Sequence, residues 1–178
     1  TQATVYLNGC LMKHSFTGYT PFEVDITDVV KYGEKNVLAV YVRADEHEGW
    51  WYEGAGIYRH VYLIKTAPLA SDLYGIYVIP EKVSDGKWSV TVENTIRCDS
   101  ATPYKREFRV VNEILDSAGN VVVTTESAGI VNPYDKTTVT GNATVSDPRL
   151  WDVDDPYLYT CRTTVFDGDA AVDCDEVS

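Results

Sequence analysis

Apolar and polar positions alternate along most of this chain with a period of two, the spacing of strands that have one covered and one wet face. Val5-Tyr6-Leu7 runs into Asn8-Gly9, the strongest short-range hairpin signal, and continues as Leu11-Met12-Lys13-His14. Phe22, Val24 and Ile26 alternate with Glu23 and Asp25, which predicts a half-buried strand. Val37 to Val42 is apolar at nearly every position, the pattern of a strand covered on both faces. Ile57 to Ile64 completes a first group of about five strands.

A short proline-bearing stretch, Ala67-Pro68-Leu69-Ala70-Ser71, breaks the alternation and reads as a linker over 67–71, with a first domain at 1–66 and a second at 72–178. In the second domain, strands are expected at Tyr74–Ile79, Lys87–Ile96, Arg106–Leu115, Val121–Thr125, Thr137–Val145, Leu158–Phe166 and Ala171–Val177. Turn residues at Ser84-Asp85-Gly86, Ala118-Gly119-Asn120, Asn132-Pro133 and Asp167-Gly168 separate them. Phe108, Val110, Asn112 and Ile114 share one face, so Asn112 should be buried and should need a hydrogen-bond partner. Thr27–Val30 is the one place for a helical turn.

Seven short strands over roughly 100 residues are what an immunoglobulin-like β-sandwich requires. Composition agrees with an all-β fold, because Tyr, Val and Thr fit a pleated, half-buried surface. No apolar run is long enough to span a bilayer as a helix, so no membrane partner is expected. The formal net charge of −12 argues against nucleic acid, whose phosphates demand clustered cations.

Cys10, Cys98, Cys161 and Cys174 show no zinc-like spacing. A two-residue turn at Asp167-Gly168 would set Cys161 directly opposite Cys174 and allow a disulfide. The alternative is that each cysteine is a small buried hydrophobe. His14, His47 and His60 are scattered, and neighbouring Glu46 and Glu48 point to opposite faces of an extended chain from His47. Asp152, Asp154 and Asp155 suggest calcium but lack the glycine and terminal glutamate of an EF-hand loop. No metal site and no cofactor are expected.

Two segments carry a family resemblance. Gly18-Tyr19-Thr20-Pro21-Phe22-Glu23-Val24-Asp25-Ile26-Thr27 together with Gly49-Trp50-Trp51-Tyr52-Glu53-Gly54-Ala55-Gly56-Ile57-Tyr58-Arg59-His60-Val61 resembles the sugar-binding jelly-roll domain of glycoside hydrolase family 2. Asp147-Pro148-Arg149-Leu150-Trp151 followed by Asp155-Pro156-Tyr157-Leu158-Tyr159 resembles the Pro-x-Leu-Trp and Pro-x-Leu-Tyr signature of that family's immunoglobulin-like domain. There the two prolines should pin an extended bend, with Leu150 and Trp151 packed beneath it and Leu158 and Tyr159 entering a core strand.

The resemblance implies an all-β chain, a partial galactose-binding-like jelly roll followed by an immunoglobulin-like β-sandwich. A jelly roll needs about eight strands, so its N-terminal half is expected to be absent. The family hydrolyses β-glycosides with retention through two glutamates on a (β/α)8 barrel. No strand–helix alternation exists here, so the chain is expected to be non-catalytic, with the missing barrel of the same polypeptide as its partner. The Gly-Ala-Gly-Ile-Tyr-Arg form resembles β-galactosidases, which implies a β-galactoside or related glycan as the ligand of the whole protein. The exposed edges leave a homo-oligomer open, and the family likeness implies a soluble bacterial-type protein of the cytoplasm or periplasm.

In β-galactosidases and β-glucuronidases a loop of the jelly roll reaches the barrel mouth, and the matching region here is 45–53. The resemblance makes Asp45, Glu46 and Glu48 candidate acceptors for sugar hydroxyls, and Trp50, Trp51 and Tyr52 candidate stacking faces. The common family form Arg-Trp-Tyr-Pro is altered, with Trp50 and Glu53 in place of the Arg and the Pro. A structural role is the competing reading, in which Trp51 and Tyr52 plug the domain core and the acids are solvated. A free-standing carbohydrate-binding or adhesive module using Trp50-Trp51-Tyr52 as a platform is the rival for the whole chain.

Overall fold

The computed structural model describes residues 2–44, 54–100 and 104–178. They divide into two compact units, Thr1–Leu63 and Ile64–Ser178. Among the described residues there is no helix, and every strand pair is antiparallel.

The first unit is a three-stranded sheet of β1 (Gln2–Leu7), β2 (Cys10–Ser15) and β3 (Leu38–Arg43), in the order β2-β1-β3. Central β1 holds the buried Val5 and Leu7. Asn8 and Gly9 join β1 to β2 with φ of 52° and 85°, the left-handed pair a two-residue type I′ turn demands. Asn8 has a second task, since its Nδ2 donates to the Val29 carbonyl (3.2 Å) and to Asn36 Oδ1 (2.8 Å). Its Oδ1 accepts from the Val37 amide (3.0 Å). One turn residue therefore ties the 29–37 loop to the sheet.

Two strands expected in this unit do not form, and a third sits elsewhere than expected. Phe22–Ile26 is irregular because Asp25 Oδ1 accepts from both the amide (2.9 Å) and the hydroxyl (2.7 Å) of Thr27. That local turn competes with a ladder and starts the single helical turn in which Val29 and Val30 both donate to the Ile26 carbonyl. β3 forms but among the described residues is an edge strand paired only with β1, and Leu38 and Tyr41 are exposed rather than covered. Ile57–Ile64 is exposed along its length and joins no ladder among the described residues.

The second unit has seven strands: β4 (Leu69–Ser84), β5 (Lys87–Cys98), β6 (Arg106–Leu115), β7 (Val121–Val131), β8 (Asp135–Ser146), β9 (Thr160–Asp167) and β10 (Ala170–Val177). They form sheets of order β4-β5-β8 and β10-β9-β6-β7. Leu69, Ile96 and Cys98 of one sheet pack with Phe108, Val110, Val131 and Val165 of the other, and a second cluster joins Val90, Val92 and Val145 to Ile114 and Cys161. Two sheets facing across a shared apolar layer is the sandwich solution to burying one face of each. The stretch read as a linker is partly core, since β4 begins at Leu69, and Leu69 and Ala70 are fully buried.

β4 slips register between Ser71 and Ile76, where Tyr74 has a φ of 56°. Gly75 is required there, because a Cβ would lie 2.7 Å from the Thr95 carbonyl oxygen and 2.8 Å from that of Asp72. At the turn after β6, the Asp116 carboxylate accepts from the amides of Ala118 (2.9 Å) and Asn120 (2.8 Å). The Asn120 side-chain and backbone bonds to that carboxylate hold Asp116 below the usual carboxylate range.

The hairpin between β9 and β10 overturns the disulfide expectation. Its turn residues are Gly168 and Asp169, one position later than Asp167-Gly168, and the register shifts again between Ala171 and Asp173. Cys161 therefore faces Val177, and Cys174 faces Thr164. Cys161 is a buried free thiol, pushed above its usual pKa by burial, while Cys174 is a free thiol on the exposed side.

Candidate functional site

Of the residues proposed to touch sugar, Asp45, Glu46, Glu48, Trp50, Trp51 and Tyr52 all lie outside the described residues, as does His47. His14 Nδ1 lies 2.9 Å from Thr4 Oγ1, and His60 stacks on Tyr62. Among the described residues, no group of three His, Cys, Asp or Glu side chains could hold a metal ion.

The chemistry that the structure does bring together lies in the loop from Asp147 to Tyr159, between β8 and β9. Arg149 lies in the bend after Pro148 and grips Asp155, with Nε to Oδ2 at 2.8 Å and Nη2 to Oδ1 at 2.6 Å. This is the two-pronged geometry that a planar guanidinium offers a carboxylate. The guanidinium carbon lies 4.4 Å from the centre of the Tyr157 ring, and Tyr157 meets Tyr159 edge-on at 5.1 Å. Hydroxyls finish the frame. The Tyr159 hydroxyl accepts from the Arg149 amide (2.9 Å), and the Tyr157 hydroxyl accepts from the Ser117 amide (3.1 Å).

Backbone bonds between Asp152 and Asp155 run both ways, at 2.9 and 3.2 Å, and close the loop's tip. Asp152 Oδ1 accepts from the Asp154 amide (3.0 Å). The hydrogen bonds from Arg149 hold the Asp155 carboxyl below its usual range and raise the guanidinium. Asp152 and Asp155 serve the loop's own architecture, with both Asp155 oxygens committed to Arg149.

This loop departs from the packing expected of the Leu-Trp motif. Leu150 (52%), Trp151 (58%) and Leu158 (57%) are exposed, and so is Val153. Pro148 and Pro156 lie outside any strand, β9 begins only at Thr160, and of these residues Tyr159 packs against the core cluster. The reason is that the bend is held by polar bonds along its own length, which leaves its apolar side chains pointing away. The Arg149–Asp155 grip was not anticipated from sequence, although an Arg six residues before an Asp, between two prolines, was the available signal.

Asn112 is buried as expected, and its partner is Asn94 on the opposite sheet. Asn112 Nδ2 donates to Asn94 Oδ1 (2.8 Å) and to Thr125 Oγ1 (3.1 Å), while Asn94 Nδ2 donates to Asn112 Oδ1 (3.1 Å). Thr163 Oγ1 also donates to Asn112 Oδ1 (2.7 Å). Gly141 makes room beside this network, since a Cβ there would sit 2.4 Å from Thr125 Oγ1.

The outer face of the β10-β9-β6-β7 sheet carries ion pairs. Arg162 bonds Glu176 through Nε at 2.7 Å and lies 3.7 Å from Glu113. Arg109 stacks 4.0 Å over Phe166 and lies 3.7 Å from Glu126. A groove of about 550 Å³ beside it is lined by Glu107, Arg109, Ile130 and Asp169. Glu107 is exposed there.

The described residues form an all-β chain with a seven-stranded unit of two sheets and a Pro-x-Leu-Trp loop, the combination the family resemblance implied. The model of the glycosyl hydrolases family 2 matches residues 72–178, more than half of the chain. The chain belongs to that family. It is 35% identical over 170 residues to the β-galactosidase BoGH2A of Bacteroides ovatus, covering 95% of this chain and 20% of that protein. It is 30% identical over 192 residues to a β-glucuronidase of Formosa agariphila, covering 96% of this chain and 19% of that protein. A solved family 2 member from Bacteroides cellulosilyticus superposes with a TM-score of 0.90 at 30% identity, over 99% of this chain and 24% of that one. The chain spans about a fifth of the length of the curated relatives it matches.

Proposed function

We propose that this chain is a non-catalytic part of a family 2 glycoside hydrolase whose whole polypeptide is a β-galactosidase, removing terminal β-galactosides with retention. The observation that carries this reading is its footprint, 95% of the chain within 20% of a β-galactosidase. Retention requires two carboxyls about 5–5.5 Å apart, one of them held protonated. Among the described residues the shifted carboxyls, Asp116, Asp135 and Asp155, all move downward, opposite to the need of a general acid.

The role left to these residues is mechanical. The two units brace the catalytic barrel, and the 45–53 segment is assigned to the pocket rim, where Asp45, Glu46 or Glu48 accepts from sugar hydroxyls or, instead, an aromatic of Trp50, Trp51 and Tyr52 stacks on a pyranose.

The test is hydrolysis of nitrophenyl β-galactoside and β-glucuronide by the parent polypeptide and by residues 1–178. The expected outcome is galactoside turnover by the parent and none by 1–178. Preference of the parent for the glucuronide overturns the sugar assignment, and turnover by 1–178 overturns the non-catalytic role.

A further inference from the structure

We propose that Asn8-Gly9 is a modification site, a spontaneous deamidation centre held off by the 29–37 loop. The reaction proceeds only when that loop leaves the sheet, and its product then keeps the loop from returning. This chemistry is independent of which sugar the parent polypeptide cleaves.

Asn8 is the only asparagine in the chain that glycine follows. Without a Cβ, the Gly9 amide nitrogen meets the least steric resistance in closing on the neighbouring side chain. In the reaction that nitrogen attacks Asn8 Cγ. A bond forms between Gly9 N and Asn8 Cγ, and Nδ2 departs as ammonia with the proton that Gly9 gives up. Water then opens the cyclic imide at one of its two carbonyls, leaving aspartate or isoaspartate at position 8. Gly9 is exposed, and beyond its chain neighbours no atom lies within 4 Å of where a Cβ would stand, so water reaches the turn.

The fold guards the leaving group. Asn8 Nδ2 donates to the Val29 carbonyl at 3.2 Å and to Asn36 Oδ1 at 2.8 Å, and Asn8 Oδ1 accepts from the Val37 amide at 3.0 Å. Turning Cγ onto the Gly9 nitrogen and releasing ammonia means giving up these bonds. Asn36 is itself pinned. Its Oδ1 accepts from the Lys31 amide (2.8 Å), and its Nδ2 donates to the carbonyls of Lys31 (2.8 Å) and Glu34 (3.1 Å). Its oxygen is therefore held toward Asn8.

The same bonds make the change one-way. A carboxylate at position 8 has no N–H for the Val29 carbonyl or for Asn36 Oδ1, and it sets a negative charge against both oxygens. Asn36 cannot relieve this by turning its amide over, because its Nδ2 is committed to two carbonyls. Isoaspartate goes further, since it adds a backbone carbon inside a two-residue turn whose length fixes the strand register.

Mass spectrometry of the tryptic peptide that ends at Lys13, taken from the parent polypeptide aged at mildly alkaline pH, follows the reaction. Deamidation at Asn8 should be about tenfold or more slower in the folded protein than in urea-unfolded protein, because the guarding hydrogen bonds must open first. Equal rates overturn the proposal. Urea below the unfolding transition should speed deamidation and Val37 amide exchange in parallel. Deamidation that stays flat while Val37 exchange rises overturns the gate. Asn36→Ala, shown to be folded by circular dichroism, should deamidate severalfold faster than the native protein, and an unchanged rate in that variant also overturns the gate. Protein enriched in the deamidated form should exchange its Val37 amide faster than fresh protein. Equal protection in the two forms overturns the one-way step.

Discussion

Asn94 and Asn112 exchange amide hydrogen bonds of 2.8 and 3.1 Å across the sandwich, each fully buried and each on a different sheet. An amide pair of this kind fixes how far the sheets slide over each other, because any shift leaves two or more polar groups unpaired in an apolar layer. Removal of one partner is costly, whereas removal of both exchanges a polar contact for an apolar one.

Asn112→Leu should therefore destabilise the second unit by about 1–3 kcal/mol, the cost of leaving Asn94 Oδ1 without its donor and the Thr163 hydroxyl without its acceptor. Asn94→Leu with Asn112→Leu should recover part of that loss. Urea denaturation of the two single variants and the double variant measures the coupling, and strict additivity would show that the pair does not act as a unit.

Gly141→Ala should cost about 1–3 kcal/mol by overpacking the same region, since its Cβ would lie 2.9 Å from Thr125 Cβ as well as against the hydroxyl. Combining it with Thr125→Ser, which trims the methyl group but keeps the hydroxyl, should not rescue it, whereas Thr125→Gly should relieve the clash and lose the hydrogen bond. Thermal unfolding of the three variants separates these effects.

The Arg149–Asp155 grip should open in acid. The Asp155 carboxyl is depressed from its usual 3.8, so the stabilisation it lends the loop is complete above that value. It is lost as pH falls through the lower folded value. Amide exchange over 147–159 should rise in that window and rise already at neutral pH in Asp155→Asn. Exchange that is flat through the acid limb would show that the loop is held by other means.

Thiol labelling of the native protein should modify Cys10 and Cys174 quickly, because both are exposed, and Cys98 and Cys161 only after unfolding. The native mass should match four free thiols. A mass two hydrogens lighter, with Cys161 and Cys174 joined in a peptide map, would contradict the β9–β10 register.

Asn8→Gly should keep the turn between β1 and β2, since glycine accepts the left-handed backbone, while freeing the 29–37 loop. Faster exchange at the Val37 amide, with β1–β2 amides unchanged, is the expected signature. A loss of protection throughout β1 and β2 would mean that the side chain serves the turn itself.

Much of this architecture was legible along the chain, and the cases that were not share a cause. β6 runs over Arg106–Leu115 as its alternation predicts, and Asn8-Gly9 forms its hairpin, because both depend on neighbours a few residues away. The cysteine pairing failed because a one-residue displacement of a turn and an irregularity near Val172 change every partner downstream. Phe22–Ile26 alternates like a strand, yet a strand exists only where another edge offers its hydrogen bonds, and Asp25 offered Thr27 a nearer partner.

The candidate site divides along the same line. Local order settles strand periodicity, turn chemistry and the family motifs, since each is written in residues within hydrogen-bonding reach of one another along the backbone. Which Asn answers Asn112, which side of the Pro148–Pro156 bend Trp151 presents, and which carboxylate Arg149 takes are decided only when distant segments meet. Burial and pairing are properties of the packed chain, and a residue's type sets what it needs without naming the neighbour that supplies it.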